Sequence, residues 1–374
     1  MRTMHPVVGL GSYRWDPEWL PLDEFEERIR AIRRDMAARG WSGLIVHGNS
    51  QDCAALTYLT NFFPRNRWAI ALVPAQGQAK LLVAGSTRDL PAASLLTWVK
   101  DVASYGDAGK ILPGWIAALA KDGAKPKLGV YGESFMRHGV HQTIVGTAGQ
   151  HAETEDADSL LDAMMRSKRP RELSMIRKSC AILRKTIEAL QRAASSGASV
   201  VAATVEAERV ARASEAQDIR ILFSLDGGRT LRPFEGLSDV RCDPLVAYVA
   251  VRYLGYWSEA MVTLTDKPSA SRRKAAAALA ALVAAAKPGV AAAELARAVN
   301  GGLPPHPMLG QALGHAIGLK LDEAPSLTPA SATRLEPGGV YSLHVGVADE
   351  TSGHALLSAM VAVHDGGNEV LWSA

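Results

Sequence analysis

Cysteine is scarce in this 374-residue chain, which has three: Cys53, Cys180 and Cys242. They lie far apart and match no metal-ligand spacing, which points to a reduced, cytoplasmic setting. Net charge is scarce too. At +3 it provides no general attraction to nucleic acid or to an anionic membrane. No long apolar run is present. The first twenty residues carry Arg14, Asp16 and Glu18 and lack the apolar centre of a signal peptide. The Ala-rich stretch 275–286 follows Arg272-Arg273-Lys274 and is too short to span a bilayer. What the chain does have is 48% hydrophobic and 21% charged residues, the balance of a well-packed globular protein. Its length exceeds one ordinary core, so two domains are expected.

The first half reads as an alternating α/β unit. Phe25, Ile29, Ile32 and Met36 recur at helical spacing over 23–39. A buried strand over 43–48 follows, then a helix near 51–57, strands at 68–74 and 78–84, helices at 90–98 and 108–121, and a strand at 127–131. The polar, basic segment Met165-Arg-Ser-Lys-Arg-Pro-Arg-Glu-Leu173 opens a long helix over 171–197. The domain boundary belongs there, giving domains 1–164 and 165–374. The second half reads as helices at 171–197 and 201–216 and strands at 219–224, 244–252 and 256–265, the last two an antiparallel pair. A second helix pair, 268–286 and 291–299, is broken at Lys287-Pro-Gly289, and strands at 340–347 and 355–364 close the chain. Two helices and then strands, twice over, reads as an internally duplicated α+β domain.

The most informative segment is Gly314-His315-Ala-Ile-Gly318-Leu-Lys-Leu-Asp322-Glu323-Ala-Pro325. Its glycines allow backbone to pass close to a site, and the run is too apolar for a solvent loop. About twenty residues on, a strand-like run delivers His344 between Leu343 and Val345. Two imidazoles in an apolar framework are expected to line a pocket.

These motifs, taken in order, resemble the creatinase / Xaa-Pro dipeptidase / methionine aminopeptidase family. The matching segments are Tyr58-Leu-Thr-Asn-Phe62, Arg171-Glu-Leu-x-x-Ile-Arg-Lys-Ser179, Gly255-Tyr-Trp-Ser258, Gly314-His-Ala-Ile-Gly318, Asp322-Glu-Ala-Pro325, Leu335-Glu-Pro-Gly-Gly339 and Val363-His-Asp-Gly366. The resemblance implies a creatinase N-terminal-like α/β domain followed by an α+β pita-bread domain. It also implies the family's peptidase site: two metal ions held by two aspartates eleven residues apart, one histidine and two glutamates. On this chain those positions fall at Tyr248, Glu259, His315, His344 and Leu357. Asp322 and Phe234 stand at or near the places of two outer histidines. Two dications need several carboxylates to offset their repulsion, so a two-metal peptidase is not expected. Creatinase shows that the fold can work without metal, but its catalytic histidine and late-strand glutamate match Phe234 and His344 here. Creatine is therefore not the expected substrate.

The expected function is a metal-independent, creatinase-like enzyme, a hydrolase of a C–N bond in a small molecule, with no cofactor. His315, His344 and Glu259 are the expected catalytic residues, and Tyr248, Asp322, Phe234, Leu357, Arg65 and Arg67 the substrate-binding ones. Two other readings remain open: an inactive pseudoenzyme that binds a ligand, and a mononuclear metal enzyme using Glu259, His315 and His344. Relatives sharing the N-terminal domain are commonly homodimers. In this chain Phe62-Phe-Pro-Arg65-Asn-Arg67-Trp68 is the loop expected to reach a second subunit, its arginines binding an anionic group. Neither a nucleic acid nor a membrane is an expected partner.

Overall fold

The computed structural model describes residues 13–120, 123–233, 239–299, 306–349, 351 and 353–374. The chain forms two compact units, Met1–Met165 and Arg166–Ala374. In the first, helix α1 (Leu22–Arg39) buries Phe25, Ile29, Ile32 and Met36 and ends where Gly40 turns left-handed. The succession is β1 (Gly43–Asn49), α2 (Ala54–Thr60), β2 (Trp68–Pro74), β3 (Lys80–Val83), α3 (Leu90–Ala93), β4 (Asp101–Ser104), α4 (Ala108–Leu119) and β5 (Lys127–Tyr131). It continues with α5 (His138–His141), α6 (Thr147–His151), β6 (Glu153–Asp156) and α7 (Asp158–Arg166). The sheet order is β4-β3-β2-β1-β5-β6. Its central strands carry Ile45, Ile70, Leu72 and Leu128, covered by Leu112, Ile116 and Ile144.

The helix expected over 90–98 stops at Ala93. Asn61 and Trp98 side chains instead donate to the carbonyls of Leu96 and Leu59 at 3.2 and 3.0 Å, tying that segment down as a loop. Strands β4 and β6 were not anticipated. Strand β6 (Glu-Thr-Glu-Asp) is exposed throughout and is held at a sheet edge by its backbone pairing to β5, which leaves no apolar alternation to read.

In the second unit, α8 (Pro170–Ser195) and α9 (Val200–Ala213) precede an antiparallel sheet of β7 (Asp218–Phe223), β8 (Leu245–Tyr253) and β9 (Tyr256–Leu264). Helices α10 (Ala270–Ala285) and α11 (Ala292–Ala298) precede a second sheet: β10 (Gly314–Ala316), β11 (Glu323–Leu327), β12 (Val340–Val347), β13 (Ala355–His364) and β14 (Gly367–Ser373). Its order is β11-β10-β12-β13-β14, antiparallel throughout. The helix-helix-sheet succession thus occurs twice in this unit. The two sheets meet where β9 lies on β13: Met261 N–H donates to Ser358 Oγ at 2.7 Å, and Leu356 N–H donates to Thr263 Oγ1 at 2.9 Å.

Side-chain alternation along β12 and β13 sorts the two faces of the second sheet. Leu343, Val345, Val347, Ala355, Leu357, Ala359 and Val361 pack under Leu279, Leu282 and Leu295 of α10 and α11. The other face presents Ser342, His344 and Ser358, and turns toward β9.

Candidate active site

Glu259, His315 and His344 arrive from three strands. On β9, Glu259 pairs with Ala250 of β8, and Tyr248 stands on the same face two pairs further along, opposite Met261. The hairpin that joins them turns at Leu254-Gly255, both at positive φ (44° and 90°), which keeps the strands in a tight two-residue register. His315 is the middle residue of β10 and lies opposite Ser342 of β12. Gly314 precedes it at φ +140°, and a Cβ there would sit 1.9 Å from the Ser342 carbonyl oxygen. Only glycine lets β10 come this close to β12. His344 follows two residues after Ser342, on the same face.

The three side chains share one point. Glu259 Oε1 lies 3.1 Å from His315 Nε2 and 2.9 Å from His344 Nε2. The Tyr248 hydroxyl donates to the other oxygen, Oε2, at 2.7 Å, and Ser342 Oγ lies 2.9 Å from His344 Nε2. The imidazole rings of His315 and His344 sit edge to face, centroids 5.1 Å apart. Glu259 is buried, 3% exposed at its side chain, whereas His315 is 15% exposed. His315 is therefore the member a solute meets first.

Electrostatics reinforce this arrangement. Burial alone would raise the Glu259 carboxyl, but hydrogen bonds and charge from His315 and His344 outweigh it and hold the group well below the usual carboxylate range. Burial would lower His315, yet the Glu259 carboxylate, the Ala316 carbonyl and Asp322 push it up to about 9. Burial and the Glu259 charge raise Tyr248, so it remains a neutral phenol and donor.

The other expected residues divide sharply. Asp322 is 75% exposed and stands 3.7 Å from His315 Nδ1, at the rim; that nitrogen's close partner is the Ala316 carbonyl at 2.9 Å. The assignment of Leu357 to the site is corrected. It pairs with Val345 and belongs to the apolar core beneath the helices. The residue across from His344 is Ser358, one position on, and the alternation of β13 places it on the site face. Phe234 lies outside the described residues. Arg65 and Arg67 are exposed in the first unit, just after the buried Phe62 and Phe63. Ser342 was missed, although a small polar residue two positions before His344 on one strand was the available signal.

The donor set does not fit two divalent ions. Among the described residues converging here, Glu259 is the single carboxylate; a phenol and two hydroxyls stand beside it, and none of these balances a second dication. Glu259, His315 and His344 do offer three ligand atoms within 4.8 Å of one another, a set that fits one ion.

The profile of Metallopeptidase family M24 matches residues 174–365, just over half of the chain. That of the Creatinase/Prolidase N-terminal domain matches residues 28–166. No curated protein matches the chain in sequence. Among solved structures, the chain is similar to an Xaa-Pro dipeptidase from Bacillus anthracis, with TM-score 0.74 and 19% identity over 93% of this chain and 97% of that one. It is also similar to the prolidase from Pyrococcus horikoshii OT3, with TM-score 0.72 and 19% identity over 92% and 97%. A third is an X-Pro aminopeptidase from Thermotoga maritima MSB8, with TM-score 0.75 and 16% identity over 93% and 98%. At these identities the likeness is one of fold. On the profile matches, the chain belongs to metallopeptidase family M24, as a peptidase-like hydrolase with a creatinase/prolidase N-terminal domain.

Proposed function

We propose that this protein is a metal-independent hydrolase of a C–N bond in a small molecule, worked by the Glu259–His315–His344 cluster. One observation carries the reading: both ring nitrogens of His315 face acceptors. Nδ1 lies 2.9 Å from the Ala316 carbonyl and Nε2 lies 3.1 Å from the Glu259 carboxylate. A ring so placed is satisfied when it carries both protons, as an imidazolium paired with a fixed anion. Glu259 already accepts from Tyr248 and His344, so it anchors and orients the histidines and is a poor proton acceptor itself. His315, the more exposed member, is the proton donor. It gives its Nε2 proton to the leaving nitrogen as the C–N bond breaks; the attacking water forms the new C–O bond and returns a proton to the same imidazole. Release of amine or ammonia from a panel of amides, ureas and guanidines tests this. Turnover is expected for the native chain and loss of it for His315→Gln. Equal turnover by the two proteins would overturn the assignment.

The convergence of three ligand atoms supports a second reading, a mononuclear metal enzyme. There Glu259, His315 and His344 would hold one divalent ion, which would supply a Lewis acid beside the substrate. Elemental analysis of protein purified without chelator separates the readings, since about one bound ion per chain belongs only to the second. No helix among the described residues is long and apolar enough to cross a membrane. We further propose a homodimer in which the exposed Arg65 and Arg67, anchored by buried Phe62 and Phe63, reach the second subunit and bind an anionic group. Light scattering at micromolar concentration tests the assembly, and a monomer would refute it.

A further inference from the structure

A second pair of histidines lies along the site face of the same strand. Gly346 follows His344 by two residues on β12, about 7 Å further along, and shares its face. The ring of His306 packs on that glycine: a Cβ at Gly346 would fall 2.7 Å from His306 Cβ and Cγ. His354, just before β13, stands edge to face with His306, their ring centroids 5.5 Å apart. Gly228 is cleared beside it, since a Cβ there would lie 3.0 Å from His354 Cβ. His306 is 2% exposed and His354 6%.

Their hydrogen bonds determine which nitrogens carry protons. The Met308 backbone N–H, which can only donate, points at His306 Nδ1 at 3.2 Å. His306 Nδ1 is therefore the acceptor, and the neutral ring carries its proton on Nε2. Arg229 Nε, also only a donor, lies 3.4 Å from His354 Nε2, which places the His354 proton on Nδ1. Those two N–H groups, His306 Nε2 and His354 Nδ1, are buried and have no hydrogen-bond partner among the described residues. Buried donors in native proteins are nearly always matched by an acceptor. Burial, and then the neighbouring His354, lower His306 to about 4, so at neutral pH it acts as a neutral donor.

We propose that His306 and His354 form a carboxylate-binding subsite, so that the substrate of the Glu259–His315–His344 centre is a small molecule bearing an acid group. The assignment of substrate class rests on the reading of that centre as the place of reaction. The two N–H groups, on rings whose centroids are 5.5 Å apart, match in number the two oxygens of a carboxylate, each of which would sit about 2.9 Å from its donor. The Arg229 guanidinium beside His354 adds a favourable charge.

The test is a titration of acetate into the full-length protein carrying nitrogen-15-labelled histidine. The expected result is saturable binding in which the His306 Nε2 and His354 Nδ1 signals shift together, with at least tenfold weaker binding in His306→Phe and in His354→Phe. The wild-type spectrum also reports the two tautomers without any substitution, so the proposal stays testable where a variant fails to fold. Absence of saturable binding, binding that survives either substitution, or signals left in place by a retained ordered water would each overturn the subsite. Failure of the hydrolase reading is distinguishable, because acetate binding persists in a protein that turns over no amide, urea or guanidine.

Discussion

Replacing Glu259 with glutamine keeps the shape of the side chain and removes its charge. His315, held at about 9 against an ordinary 6.5 chiefly by that carboxylate working against burial, then keeps the burial that disfavours its protonation, opposed only by the smaller effects of the Ala316 carbonyl and Asp322. The rise from 6.5 to about 9 corresponds to roughly 3 kcal/mol of preference for the charged ring. Because this pKa is raised on folding, its contribution is fully present below pH 6.5 and is lost as pH climbs through about 9. In a unit of this size about 3 kcal/mol amounts to roughly 6–12 °C in Tm. Thermal melts of chelator-treated wild type and Glu259→Gln, followed by circular dichroism at pH 7 and pH 10, read the effect. The variant is expected to melt lower by that margin at pH 7. The gap is expected to narrow at pH 10, where His315 is neutral in both proteins and effects of other groups cancel in the difference. An equal gap at both pH values would refute the coupling between Glu259 and a charged His315.

Other outcomes follow from individual contacts. Gly314→Ala forces a Cβ to within 1.9 Å of the Ser342 carbonyl at φ +140°; it is expected to lower stability by at least ~1–3 kcal/mol in a denaturant titration and to shift the His315 imidazole signal. Leu357→Ala opens the core beneath α10 and α11 and is expected to destabilise by about 2–5 kcal/mol, with turnover per folded molecule unchanged. Lys168 Nζ meets Glu323 Oε2 at 2.5 Å with both side chains buried. Lys168→Met strands that carboxylate and is expected to cost about 3–5 kcal/mol, much of it regained in the double variant with Glu323→Gln.

Much of this architecture is legible in the sequence because it rests on periodic burial. Helix α8 and strands β8, β9, β12 and β13 fall where apolar spacing places them, within a residue or two. Strands β10 and β11 escaped because their residues are chosen for close approach and turn-making: Gly314 faces the Ser342 carbonyl, and β11 includes Pro325 within its span. Strand β6 escaped because an exposed edge needs no apolar face. In the site, His315, His344 and Glu259 were readable from motif spacing, and the hairpin register brought Tyr248 with them. Leu357 was misplaced by a single residue, enough in a strand to send a side chain to the opposite face. The His306–His354 pair could not be read at all. It depends on a segment before β10 folding back against Gly346, and no local periodicity encodes that contact.

The central claim is hydrolysis of a C–N bond by side chains alone, and one measurement addresses it most directly. Amine release is followed for the same preparation before and after exhaustive chelation, with the metal content of each sample determined alongside. The account predicts unchanged turnover at a metal content far below one ion per chain. Turnover that disappears on chelation and returns with an added divalent ion would contradict it.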